Sequence, residues 1–303
     1  MNRRNFLKNT TLATAGVWTV KDSFLTPNRA AAKSKLIILA TNWGFTGTMD
    51  AFCAAAKKEG YDGIEVWWPG EAKQQQEIAE AVQKHGLSAG FLCGGWQTNV
   101  EEHLKTFTDS VASSTEHKDI KPLYVNCHAG RDHFNYNSNR RFIDYALERS
   151  AKTGIPIYQE THRGRILFAA NIARAYMEKH PQMELTLDIS HWCNVHESML
   201  GDQEETISMA LDKSSHVHAR VGHPEGPQVN DPRAKEWVHV VEQHFKWWDK
   251  IVERRKKAGQ NITFLTEFGP PTYMPVMPHT QQPVADQWAI NVHMMNEIRK
   301  RYL

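Results

Sequence analysis

Cysteine is scarce in this chain and never closely spaced: Cys53, Cys93, Cys127 and Cys193 are the only four, and no CxxC pair occurs. That spacing excludes a zinc knuckle and a thioredoxin-like redox centre. The four read instead as small buried hydrophobes, with any disulfide left unassigned. Charge of one sign is lacking too, since 36 Lys and Arg face 34 Asp and Glu for a net charge of +2. The sixteen histidines add positive charge only in mild acid. A surface built to neutralise a phosphate backbone is therefore not expected, and nucleic acid is set aside as a partner. No apolar run is long enough to span a bilayer stably. No repeat, low-complexity tract or internal linker marks a second domain. The turn after the first strand-like run, ATNWGFTGT, is not a glycine-rich phosphate loop, which argues against a doubly wound open sheet.

What the chain does have begins with a leader. Arg3-Arg4-Asn5-Phe6-Leu7-Lys8 resembles the twin-arginine export motif, the weakly apolar stretch Thr10 to Val20 follows it, and Ala30-Ala31-Ala32 supplies small residues for cleavage. Residues 1–32 are thus expected to be a twin-arginine signal and linker, and residues 33–303 a single catalytic barrel domain. A disordered basic arm is the plainer alternative. The export reading places the mature protein in the periplasm, delivered already folded.

From Lys35 onward, strand-like and helix-like segments alternate. The strand-like runs are LIILA (36–40), GIEVW (63–67), SAGFL (88–92), PLYVNC (122–127), IPIYQE (155–160), ELTLD (184–188), HVHAR (216–220) and NITFLTEF (261–268). Amphipathic segments of helical length separate them, among them Glu71–Lys84, Arg165–His180, Arg233–Lys257 and Pro283–Tyr302. This alternation predicts parallel βαβ units, and eight of each close a (β/α)8 TIM barrel. WWDKIV (247–252) reads as core packing of one such helix; a subunit contact is the alternative, so a homo-oligomer stays open.

Four residues stand out because each ends a separate apolar run: Glu160, Asp188, His218 and Glu267. Strand interiors disfavour carboxylates, and a charge buried at a strand end needs a partner. In a parallel barrel the four converge at the C-terminal face. Three carboxylates and one imidazole form a hard site for one divalent ion, Mn²⁺ or Mg²⁺ first, with Zn²⁺ or Co²⁺ as alternatives. Asp188-Ile-Ser-His191 sets His191 within reach of a substrate oxygen. His216 and His218 share a strand face at i, i+2; His218, nearer the strand end, is chosen as ligand. Arg220 continues that face as a substrate contact, and His128, His162, Glu65 and Trp67 are further pocket candidates. Trp43 and Trp96 offer flat faces for the C–H side of a sugar. The long Gly- and Pro-rich segment VGHPEGPQVNDP (221–232) is expected to shape the pocket.

With GYDGIEVW (60–67), Glu160, LTLDISHW (185–192), HVHAR (216–220) and LTEFG (265–269), the chain resembles the xylose isomerase-like barrel superfamily. The resemblance covers nearly everything after the leader. It implies that Glu160, Asp188, His218 and Glu267 bind one divalent metal, that Glu160 and Glu267 also move protons, and that His191 contacts a substrate oxygen. The implied activity is a sugar isomerase or epimerase acting through a metal-stabilised enediolate on a free sugar or keto-sugar. A β-elimination lyase or hydratase on 3-keto glycosides is the runner-up, and a non-catalytic sugar-binding barrel the third reading. The segments 221–232 and 268–278 depart from the best-known epimerases, and the additional metal-binding histidines of the DNA-repair branch cannot be completed here.

Overall fold

The computed structural model describes residues 34–303, so the expected leader, residues 1–32, lies outside the described residues. Eight strands form a closed barrel in sequence order: β1 (Leu36–Thr41), β2 (Gly63–Trp67), β3 (Ser88–Gly94), β4 (Val125–His128), β5 (Ile157–Glu160), β6 (Leu185–Leu187), β7 (Ser214–His218) and β8 (Ile262–Thr266). All neighbours are parallel, and β1 closes on β8 from Leu36↔Ile262 to Ala40↔Thr266. The helices between and after them are α1 (Met49–Glu59), α2 (Ala72–His85), α3 (Val100–Glu116), α4 (Tyr136–Thr153), α5 (Ala170–Lys179), α6 (Ile189–Val195), α7 (Glu204–Lys213), α8 (Val238–Lys257) and α9 (Gln287–Tyr302). The expected (β/α)8 barrel is the observed one.

Alternation along each strand divides the core into two parts. Outward residues such as Ile38, Ile64, Phe91 and Phe264 pack with Phe52, Phe107, Phe142 and Trp248 of the helices in one continuous cluster. Inside the barrel lies a much smaller cluster of Leu39, Tyr124, Tyr158 and Leu265. Gly90 makes room for it, since a Cβ there would lie 2.6 Å from the Tyr124 ring. Trp247 and Trp248 are buried, so WWDKIV is packing. The four cysteines are buried and unpaired. No helix among the described residues is long and apolar enough to cross a membrane.

Element ends differ from expectation where loop groups found other partners. The helix expected from Arg165 starts only at Ala170. Ahead of it the Ile166 N–H donates to the Ala129 carbonyl at 3.3 Å, and the Leu167 carbonyl accepts from Trp192 Nε1 at 2.8 Å. These contacts satisfy the backbone without a helical turn. The segment after β6 carries an unexpected short helix, α6, whose N-cap is Asp188 itself, accepting from the Ser190 N–H at 3.2 Å. The final helix begins at Gln287 rather than Pro283, capped by Asp286 on Ala289 N.

Candidate metal centre

Strands β5 and β7 end on Glu160 and His218, while β6 and β8 lead directly into Asp188 and Glu267. Parallel pairing brings all four to one face of the barrel, buried to 9% exposure or less. His218 Nδ1 lies 2.9 Å from Glu267 Oε2 and 3.6 Å from Glu160 Oε1. Ligand atoms of Asp188, His218 and Glu267 fall within 4.8 Å of one another, as do those of Glu160, Asp188 and His191. Three of these atoms, Glu160 Oε1, His218 Nδ1 and Glu267 Oε2, are buried and, apart from the approach of His218 Nδ1 to Glu267 Oε2, have no hydrogen-bond partner. Unpartnered polar atoms in a protein interior are costly. Their separations match the ~3 Å edge of a coordination shell with bonds of about 2.1 Å. A hard divalent cation therefore fits this donor set.

Below the ligands lies a second polar layer. Glu65, on β2, accepts from His218 Nε2 at 3.0 Å through Oε1, and through Oε2 from the Tyr124 hydroxyl at 2.6 Å. His216 Nε2 also faces Glu65 Oε2 at 3.0 Å, while its Nδ1 faces the Thr263 carbonyl at 3.0 Å. With its Nε2–H given to Glu65, His218 turns Nδ1 toward Glu267 and Glu160, and a cation held there would take the place of the Nδ1 proton, the carboxylate–histidine–metal arrangement of many metalloenzymes. Burial alone would raise the Glu65 carboxyl, but His218 and His216 outweigh it and hold Glu65 well below the ordinary carboxylate range. Burial alone would lower the His218 imidazole, but Glu267, Glu160 and Glu65 hold it well above its ordinary value. Glu65 was expected to contact substrate. The structure sets it on the cavity floor with both oxygens engaged, so it supports His218.

Around the rim, His128, His162 and His191 stack in a row, with ring centroids 4.3 and 4.0 Å apart. Glu160 Oε2 accepts from Asn126 Nδ2 at 2.6 Å and from His128 Nε2 at 2.8 Å, which aims Oε1 at the metal position. Burial pushes His191 and His162 well below their ordinary values, so both are neutral at pH 7. His191 Nε2 accepts from Arg220 Nη2 at 2.8 Å. Its remaining nitrogen, Nδ1, must then carry the proton, and that atom is buried without a partner. A hydrogen-bond donor without an acceptor is thus buried beside His162.

Arg220 departs from expectation. It is 2% exposed, pairs with Asp188 and sits 3.6 Å from Glu267. Two buried ligand carboxylates occupy it, leaving no free fork for substrate. Its guanidinium also lies 4.8 Å over the ring of Tyr273. Trp67 stands at the cavity mouth, edge-on to His128 at 5.2 Å. The cavity above the ligands, about 510 Å³, is bounded by Trp43, Trp67, Trp96 and Tyr273, with Glu65, His128 and Glu267 beneath.

Sequence reasoning missed Asn126, Tyr124 and Tyr273. Tyr124 and Asn126 share the inward face with His128 at i, i+2 spacing, a signal present in PLYVNC. Nothing local marks Tyr273, which reaches the site from the segment after β8.

No protein-family model and no curated protein matches this sequence. Solved structures do match. The 3-keto-D-glucoside 4-epimerase YcjR from E. coli aligns over 88% of this chain and 100% of its own, with TM-score 0.58 and 15% identity. A D-tagatose 3-epimerase-like protein aligns over 88% and 96%, with TM-score 0.56 and 12% identity. An AP endonuclease of family 2 from Brucella melitensis aligns over 78% and 93%, with TM-score 0.52 and 16% identity. At these identities the likeness establishes a shared fold, the (β/α)8 barrel.

Proposed function

We propose that this protein is a divalent-metal-dependent enzyme that moves a proton at the carbon beside the carbonyl of a free sugar or keto-sugar, acting as an isomerase or epimerase. The observation that carries it is the convergence of three buried ligand atoms from Glu160, His218 and Glu267, with no hydrogen-bonding group beyond one another, beneath an aromatic-walled cavity. Asp188 completes the ligand set. An ion bound there supplies Lewis-acid polarisation of a carbonyl and so acidifies the neighbouring C–H. Burial alone would raise the Glu160 carboxyl, yet His128 and His218 hold it well below the ordinary range, so it is in the ionised form that a proton acceptor needs. Return of the proton to the adjacent carbon isomerises; delivery to the opposite face by Glu267 epimerises. His191 Nδ1–H steadies a substrate oxygen as charge develops on it. The names of two structural neighbours, a 3-keto-D-glucoside 4-epimerase and a D-tagatose 3-epimerase-like protein, support the substrate class.

The second reading is β-elimination from a 3-keto glycoside, in which the same first proton removal is followed by loss of a leaving group. A neighbour named as a probable 3-DHS dehydratase from Bacillus anthracis, with TM-score 0.50 and 12% identity, favours keeping it. The resemblance of residues 3–8 to a twin-arginine motif supports export to the periplasm, where free sugars and glycosides outnumber phosphorylated ones.

Solvent deuterium exchange followed by NMR tests both readings. Metal-loaded protein in D₂O is expected to place deuterium beside the carbonyl of a ketose, aldose or 3-keto glycoside. The chelated protein is expected to place none. Glu160→Gln is expected to lose about 10²-fold or more in rate while keeping its circular dichroism spectrum. Full exchange by that variant would reject the role of Glu160. The product spectrum separates isomerase, epimerase and lyase.

A further inference from the structure

Trp96 and Trp67 are the most exposed large aromatics of the molecule among the described residues, at 65% and 41%. They are adjacent, with ring centroids 5.8 Å apart. Exposure of so much apolar surface costs free energy unless a ligand covers it. Trp96 is also held in position. The Arg165 guanidinium lies 4.2 Å over its ring and donates to the Gly95 carbonyl at 2.7 Å, and Arg131 Nη1 donates to the Trp96 carbonyl at 3.4 Å. The ring is thus a pre-set platform with one face backed by a cation.

These two tryptophans line two cavities. One is the cavity of about 510 Å³ above the metal position; the other, of about 520 Å³, lies outside it toward α2 and α3. Either volume falls within the usual range for small-molecule sites, ~300–1,000 Å³. The linings differ. Apart from its tryptophans and Pro69, the outer cavity is polar, offering Gln75, Thr106, Asp109 and Ser110. Flat aromatic faces beside hydroxyl, amide and carboxylate groups suit a pyranose ring, which has an apolar C–H face and a polar edge.

Building on the proposed sugar chemistry, we propose that the substrate is a glycoside of at least two sugar rings. The reacting ring occupies the inner cavity, and the second ring crosses the Trp67–Trp96 platform into the outer cavity, where Asp109 and Gln75 bind its hydroxyls. The platform contributes chiefly by stacking, and one aromatic face accounts for roughly a tenfold change in affinity.

Calorimetry on the metal-loaded full chain tests this without turnover. The probes are methyl glucoside, the glucose disaccharides cellobiose and maltose, and phenyl glucoside. At least one disaccharide is expected to bind about tenfold more tightly than methyl glucoside, and Trp96→Ala and Asp109→Ala are each expected to collapse that preference. Equal affinities across the panel, or a preference untouched by Trp96→Ala, would overturn the proposal. So would phenyl glucoside matching the disaccharides and keeping its gain in Asp109→Ala, since the outer ring would then be an apolar aglycone. Failure of the proton-transfer chemistry looks different: the disaccharide preference persists while no deuterium exchange occurs.

Discussion

Glu65 shows how a residue can shape a candidate metal site from beneath it. Its Oε1 fixes the tautomer of His218 at 3.0 Å, and its Oε2 takes the Tyr124 hydroxyl. Partners of this kind are worth about 10–100-fold in metal affinity. Glu65→Gln keeps the shape but loses the charge that draws the His218 proton to Nε2. Titration of the variant with Mn²⁺ is therefore expected to give a Kd about 10–100-fold weaker than that of the wild type. A Kd within twofold would mean that Glu65 is mere filling. The sequence placed Glu65 correctly on the inward face of a strand. It could not show how deep in the barrel that face carries the side chain, because depth is set by the stagger of neighbouring strands.

Helix α8 acts on the site through one histidine. His244 is fully buried, its Nδ1 facing the Val240 carbonyl at 2.9 Å and its Nε2 accepting from the Gly222 N–H at 3.2 Å. It thereby anchors the start of the segment after β7, two residues beyond Arg220. Burial pushes its imidazole down from 6.5 to about 4, against the support of the Val240 carbonyl. The folded state thus resists protonation that the unfolded chain accepts at pH 6.5. The stability contribution is fully present above that pH and is lost progressively as pH falls toward 4, up to about 3 kcal/mol. Denaturant titrations at pH 7 and pH 4.5 are expected to show a smaller acid loss for His244→Gln than for wild type. An equal loss in both would place the acid sensitivity elsewhere.

At the scale of the whole barrel, four carboxylates, Glu65, Glu160, Asp188 and Glu267, are buried around one arginine and two barrel-lining histidines, His216 and His218. A divalent ion bound as proposed would hold to the folded arrangement and have no such site in the unfolded chain. Mass action then adds about 2.7 kcal/mol of stability at a free metal concentration of 100 times Kd. Mn²⁺ is expected to raise the Tm of the metal-free protein by several degrees, and chelator to reverse the rise. An unchanged Tm at saturating metal would count against an integral site.

The sequence by itself determined the (β/α)8 architecture, because strand and helix periodicities are local and eight repeats of each leave one economical closure. It also determined which residues converge, since a polar residue at the end of an apolar strand in a parallel barrel has one face to go to. Glu160, Asp188, His218 and Glu267 were legible for that reason. Only the tertiary structure decided what those residues do to their neighbours. The use of Arg220 on Asp188 and Glu267, the support of His218 by Glu65, the donor state of His191 Nδ1 and the reach of Tyr273 all depend on distances between segments remote in sequence. Periodicity reports which face a side chain takes, whereas hydrogen bonds need position to within a few tenths of an ångström, and packing across the whole barrel sets that.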